Sequence, residues 1–292
     1  MGTVCIGTAG WSYDDWVGPV YPHRASSRWH PLPFLAQFVE AVEINSSFYA
    51  LPSAAHAERW LGHVRDRPGL RFASKLYRGF THEASRVHWA DDALRFSEGI
   101  APLSASPRWY GLLAQFSARR RESAAMWRHL DRIRALFPDV PLFVELRHRS
   151  FFTPAALTRL ASLGLSLVHI DLPHHEDHPP GDLPSLGTQA WVRIHGRNAE
   201  AWFRRAAHRD EVYNYLYPPA EIDELETSLR KIKSAHDETL VITNNHYGGK
   251  AVLLALQLRG RLKGTPVSAP ASLIEAYGAH PELTVSGQQT LF

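Results

Sequence analysis

The chain has 292 residues, of which 45% are hydrophobic and 21% charged, and it carries nine Trp, ten Tyr and thirteen Phe. That balance excludes a disordered or fibrous chain, and the length suffices for one large α/β domain with a full core, or for two small ones. The formal net charge is a mild +3, and a single cysteine, Cys5, excludes an intramolecular disulfide.

No apolar run approaches the roughly 20 residues of a membrane span, so no membrane association is expected. Residues 1–7 lack the basic start and cleavage site of a signal peptide, which makes the cytoplasm the expected location. Arg outnumbers Lys 27 to five. Codon bias accounts for such a ratio, and so does a preference for phosphate-type ligands, which guanidinium grips bidentately. The positions of the arginines must decide.

Eight short apolar runs follow one another, most of them separated by helical patterns. The first, residues 4–7, leads into a loop with Trp11, Tyr13 and Trp16. The second, 41–44, ends in Asn45, Ser46 and Ser47, and Phe48 and Tyr49 follow. A helical pattern covers 54–64. The third run, 70–73, ends at Lys75, with His82 a few residues on. The fourth, 111–114, ends at Gln115 and precedes a helix over 123–136. The fifth, 142–145, delivers Glu145, Arg147 and His148 before a helix over 154–163. The sixth, 166–169, ends at Asp171, and residues 174–187, rich in His, Pro and Gly, read as a long loop. The seventh, 191–194, leads into His195, Gly196, Arg197 and Asn198, with a helix over 219–235 further on. The eighth, 240–243, ends in Asn244, Asn245, His246 and Tyr247, followed by Gly248, Gly249, Lys250 and a helix over 251–258.

Alternating strands and helices imply a parallel sheet, and eight such units in about 250 residues predict a single (β/α)8 TIM barrel. A doubly wound open sheet is the alternative, but the Gly7 to Trp11 segment is a poor version of its Gly-rich fingerprint. No linker divides the chain. Periodicity fades from Ser268, which suggests a barrel over 1–277 and a C-terminal tail over 278–292.

In a barrel, function sits where the strands end at the C-terminal face. Here the strand ends are polar throughout. Period two places Glu43 with Asn45, Glu145 with Arg147, and Arg193 with His195 on common faces, while Ile44, Leu146 and Ile194 point the other way, towards the helices. An internal salt-bridge layer would account for any one pair, because charges in a barrel are costly unless paired or functional. The whole set points to a site. Arg197, Asn198, Tyr247, Gly248, Gly249 and Lys250 end strands seven and eight, where barrels often bind phosphate at a helix N-terminus. The same glycines would serve equally to turn the chain into its helix.

Aromatics mixed with arginines in the loops suit nucleic acid, a sugar or a lid over a small ligand. Glu43, Glu145, Asp171, His195 and His246 include the donor types of a mixed O/N metal site, so a divalent metal is an open question, and no cofactor is specified. The run from His174 to His178 reads as a solvated loop.

Six motifs in order resemble the YecE-like family, also called domain-of-unknown-function family 72. They are residues 6–13, 43–49, Lys75 with 81–83, 144–148, 193–198 and 244–248, and the resemblance runs from about residue 4 to about residue 277. It implies a TIM barrel and supplies no settled reaction. The chain ends in Gln288, Gln289, Thr290, Leu291 and Phe292, which resembles the peptide by which bacterial repair and replication proteins hold the sliding clamp, although Leu is more usual where Gln289 stands.

Three functions compete. One is an enzyme on a phosphodiester or nucleic-acid substrate, associated with DNA repair if the tail binds the clamp. In it Glu43 or Glu145 is the general base or a metal ligand, His195 or His246 the general acid, and Arg147, Arg193 and Arg197 stabilise developing charge. Another is an isomerase, lyase or hydrolase on a small phosphorylated or sugar-like metabolite, with Lys75 able to form a Schiff base. In either, Trp11, Tyr13, Asn45, Tyr49, His82, Gln115, Asp171, Asn244, Asn245 and the phosphate-loop residues would contact substrate. The third is a ligand-binding module without chemistry.

Overall fold

The computed structural model describes residues 2–23, 29–83, 85–181 and 183–286. Eight parallel strands close into a barrel: β1 Thr3–Ala9, β2 Ala41–Ile44, β3 Arg71–Lys75, β4 Trp109–Gln115, β5 Leu142–Glu145, β6 Ser166–Asp171, β7 Gln189–Ile194 and β8 Glu238–Thr243. Closure is made by β8 against β1, in register from Thr3 opposite Glu238 to Thr8 opposite Thr243. Gly7 is needed where β1 meets β2: a Cβ there would lie 1.6 Å from the Ala41 carbonyl oxygen.

The helices form where capping residues meet apolar periodicity. Ser53, Ser123 and Thr153 each accept a backbone N–H at the start of helices Ala54–His63, Ala124–Leu136 and Pro154–Ser162. Their apolar stripes, with those of Trp89–Ser104 and Pro219–Ala235, cover the outside of the sheet. Ile44, Leu146 and Ile194 lie in these outer layers, each packed among helix side chains.

Two local expectations are corrected. The last barrel helix runs Lys250–Lys263, five residues beyond the expected end. Arg259 and Arg261 interrupt the apolar run, yet they pair with Glu40 and with Glu282 and Asp223, and Gly264, at φ 69°, ends the helix. Within the expected tail, β10 (Leu283–Val285) pairs in parallel with β9 (Val267–Ala269), and helix Ala271–Tyr277 joins them. Three-residue strands are too short to show a period, but Leu283 is buried in the core. Gln288, Leu291 and Phe292 of the clamp-like peptide lie outside the described residues.

The expected long loop after β6 is present: among the described residues no helix joins β6 to β7. No helix is long and apolar enough to cross a membrane, among the described residues.

Candidate functional site

The barrel interior has two halves. Towards the N-terminal end Tyr110 stacks on Phe143 at 5.4 Å, and Trp191 meets both edge-on. The C-terminal half is ionic. Strands β2, β5 and β7 place Glu43, Glu145 and Arg193 in the interior, all three fully buried. Arg193 Nε and Nη2 donate to the two oxygens of Glu43, both at 2.8 Å. Its Nη1 donates to Glu145 Oε2 at 2.5 Å and to Gln115 Oε1 at 3.3 Å. The other Glu145 oxygen accepts from Arg147 Nε at 2.6 Å and Nη2 at 2.5 Å. Burial favours a neutral Glu145, but Arg147, Arg193 and His195 outweigh it and hold its carboxyl well below the usual range. Burial likewise opposes the Arg193 charge, and Glu145 and Glu43 outweigh it, so its pKa is raised.

Lys75 ends β3 beside this layer. Two carboxylates and two guanidiniums cancel, so little negative charge remains to hold an ammonium. Burial first, then the Arg193 charge, pulls the amine down to about 7, against the pull of Glu43 and Glu145. Among the described residues Nζ has no hydrogen-bond or ion-pair partner, and it lies 4.8 Å from the centre of the Phe48 ring. His82 meets the same ring edge-on at 5.2 Å. Its pKa is lowered by burial and then by the nearby Lys75 and Arg147 charges.

The two histidines are neutral at pH 7. His195 is fully buried and pushed down to about 3, by burial first and then by Arg147 and Arg193 against the pull of Glu145. Asn244 Nδ2 lies 3.0 Å from its Nδ1, and the ring's Nε2 faces both Glu145 Oε1 and Arg147 Nη2 at 3.4 Å. Burial, with Arg209 adding to it, lowers His246 to about 4. Its ring is sandwiched between Tyr13 at 4.7 Å and Tyr213 at 5.3 Å. No group of three or more His, Cys, Asp or Glu side chains is placed to hold a metal ion, among the described residues.

The profile of the family described as "Protein of unknown function DUF72" matches residues 5–274. The chain belongs to the DUF72 family. It is 26% identical, over 274 residues, to the UPF0759 protein YunF of Bacillus subtilis, covering 85% of this chain and 90% of that one. A DUF72 family protein from Thermotoga maritima is 29% identical with a TM-score of 0.77, over 89% of this chain and 99% of its own. Another from Enterococcus faecalis is 26% identical with a TM-score of 0.77, over 89% and 96%. These likenesses agree with the barrel and leave the reaction to the geometry.

In this DUF72 barrel the structure gathers Glu43, Lys75, Gln115, Glu145, Arg147, Arg193 and His195 into one cluster, with Tyr13, Asn45 and His82 beside it. Other sequence candidates lie apart. Arg197 holds Asp171 through Nε at 2.9 Å and Nη2 at 2.7 Å, and Glu224 through Nη1 at 2.8 Å. Tyr217 donates to the second Asp171 oxygen. Asn198 caps helix Ala199–Phe203 and donates to the Glu211 carbonyl at 2.9 Å. Asn245 Nδ2 ties down the Tyr215 carbonyl at 3.0 Å. Trp11 is buried against Trp60, whereas Tyr49 and Tyr247 are exposed.

The expected phosphate loop is locally satisfied. Gly248 N–H donates to the Asp15 carboxylate at 2.5 Å, Gly249 N–H to the His246 carbonyl at 3.1 Å, and Lys250 Nζ to Asn214 Oδ1 at 2.6 Å. Both glycines have positive φ, 66° and 85°, so the turn itself requires them.

Sequence reasoning left Ser47, Ser74, Trp202, Tyr213 and Arg209 out of the site. Ser74 donates to Ser47 at 2.9 Å, and Ser47 to the Lys75 carbonyl at 2.7 Å, which fixes the backbone that carries the amine. Ser47 stands in a recognised motif, and that was its signal. Trp202, Tyr213 and Arg209 come from the long β7 loop, where no spacing indicates which residues fold back over the barrel.

Proposed function

We propose that this chain is an isomerase or lyase acting on a small metabolite that carries a carbonyl group, with Lys75 as the nucleophilic amine. The observation that carries this reading is the unpaired Lys75 amine, drawn down to about 7 beside a charge-balanced ion layer. Near neutral pH a large fraction of it is the free base. Nζ attacks the carbonyl carbon, and a nitrogen-bound proton passes to the oxygen. With one further proton, that oxygen leaves as water and an iminium remains. Its positive charge draws electrons from the adjacent C–H or C–C bond, which is the bond an isomerase or lyase breaks. Half-buried His82, its pKa lowered by burial first and then by Lys75 and Arg147, is the group placed to carry protons.

The phosphodiester reading draws less support from this geometry. Arg147, Arg193 and Arg197 already hold carboxylates, and neither His195 nor His246 is an imidazolium at pH 7. The clamp peptide is a separate proposal: a peptide of residues 287–292 should bind the clamp and lose binding when Leu291 and Phe292 become Ala.

The test of the amine is reductive trapping. The protein is incubated with small aldehydes, ketones and keto acids, with and without phosphate groups, then treated with borohydride and mapped by mass spectrometry. The chain has only five lysines, so the adduct is assigned cleanly. An adduct at Lys75, absent in Lys75→Met, is expected; no adduct at Lys75 from any carbonyl would overturn the reading.

A further inference from the structure

Beyond the amine lies a second cluster that the barrel mechanism does not use. The loops after β4, β5, β6 and β7 enclose a groove of about 410 Å³. Its lining includes Arg119, Arg121, His148, His175, His178 and Trp202. Arg119 has no ion-pair partner among the described residues, and Arg121 reaches Asp177 only at 3.7 Å. His148 is 4% exposed, and its buried Nε2 has no hydrogen-bond partner. The other ring nitrogen, Nδ1, accepts the Ser150 amide at 3.1 Å, which fixes the ring. Asp177, the one carboxylate in the lining, stands 3.4 Å from that Nε2.

The groove adjoins the amine site through Trp202. That ring lies 5.7 Å from the Arg147 guanidinium and 6.0 Å from His195. Guanidinium groups with open N–H donors and a fixed, unsatisfied imidazole nitrogen suit an oxyanion with several acceptor oxygens. Asp177 shows which kind of group these donors take, and its long contacts leave them unsatisfied. We infer that this groove is a phosphate-binding subsite, which takes the phosphate group of a phosphorylated carbonyl substrate. The inference deepens the Lys75 reading and rests on it for the carbonyl end alone.

The probe is inorganic phosphate, titrated by calorimetry and by the ring-nitrogen NMR signals of His148 at constant ionic strength, with chloride as the control anion. Arg119 and Arg121 are surface residues, so the Arg119→Gln, Arg121→Gln double variant should fold and should weaken phosphate binding by about tenfold or more. Asp177→Asn, which removes the competing carboxylate, should tighten it. Lys75→Met should leave it unchanged, so loss of trapping and loss of phosphate binding are separate failures. Equal affinity in the double variant, or no phosphate binding by the parent protein, would overturn the subsite.

Discussion

The two halves of the barrel interior are filled by opposite means. Tyr110, Phe143 and Trp191 close the N-terminal half with rings. Glu43, Glu145 and Arg193 close the C-terminal half with charge. The aromatic half gains from burial, and of its two polar groups the Tyr110 hydroxyl donates to the Ala190 carbonyl at 2.5 Å, whereas the buried Trp191 indole N–H has no hydrogen-bond partner among the described residues. The ionic half gains little net stability, because desolvating the charges offsets most of their attraction. Burial is what chiefly makes an ammonium unfavourable at Lys75, and the ionic half adds a neutral layer with a positive group beside it.

The largest effect is expected from Arg193→Met. It strands the buried Glu43 carboxylate, leaves Glu145 with Arg147 alone, and should cost about 3–5 kcal/mol in urea unfolding. If the loss is under about 1 kcal/mol, the layer is not the closed ion network described.

Lys75→Met should do the reverse and raise stability, with a definite pH dependence. The folded amine releases its proton near 7, whereas the unfolded one holds it to about 10.5. Burying it therefore costs most below pH 7, and the cost shrinks as pH rises towards 10.5. The advantage of the variant should fall by about 1.4 kcal/mol per pH unit across that window. A pH-independent advantage would contradict the shifted amine.

Phe143→Leu, in the aromatic half, should cost about 1 kcal/mol and leave carbonyl trapping at Lys75 intact. Asn244→Ala removes the partner of His195 Nδ1 and should cost about 0.5–1.5 kcal/mol. It should also free the imidazole to change tautomer, read from its ring nitrogen shifts.

Strands were legible because each apolar run is bounded by polar or glycine-rich loops, and period two told the interior from the helix side at Glu43, Glu145 and Arg193. The helix ends were legible where a cap such as Ser123 or Thr153 stands before the periodic stretch. Strand β10 was not, since three residues carry no period. Within the site, sequence located the charged groups but not their pairing. Nothing in the spacing of Arg193 says that it grips Glu43, 150 positions earlier in the chain, rather than a ligand. Arg197 and Asn198 looked like anion binders because strand ends are where ligands bind, yet their neighbours in the fold, Asp171 and the Glu211 carbonyl, claim them first. Lys75 was a Schiff-base candidate from its place at a strand end, but its lowered proton affinity comes from burial and from the charges around it, properties of the folded barrel.

The most direct measurement is the titration of Lys75 itself. With 13C-labelled lysine the chain offers five side-chain signals, and Lys75→Met identifies the relevant one. The account predicts that this signal titrates near pH 7. A Lys75 midpoint above 10 would contradict it, for the amine would then be an ordinary ammonium and the barrel would lose its nucleophile.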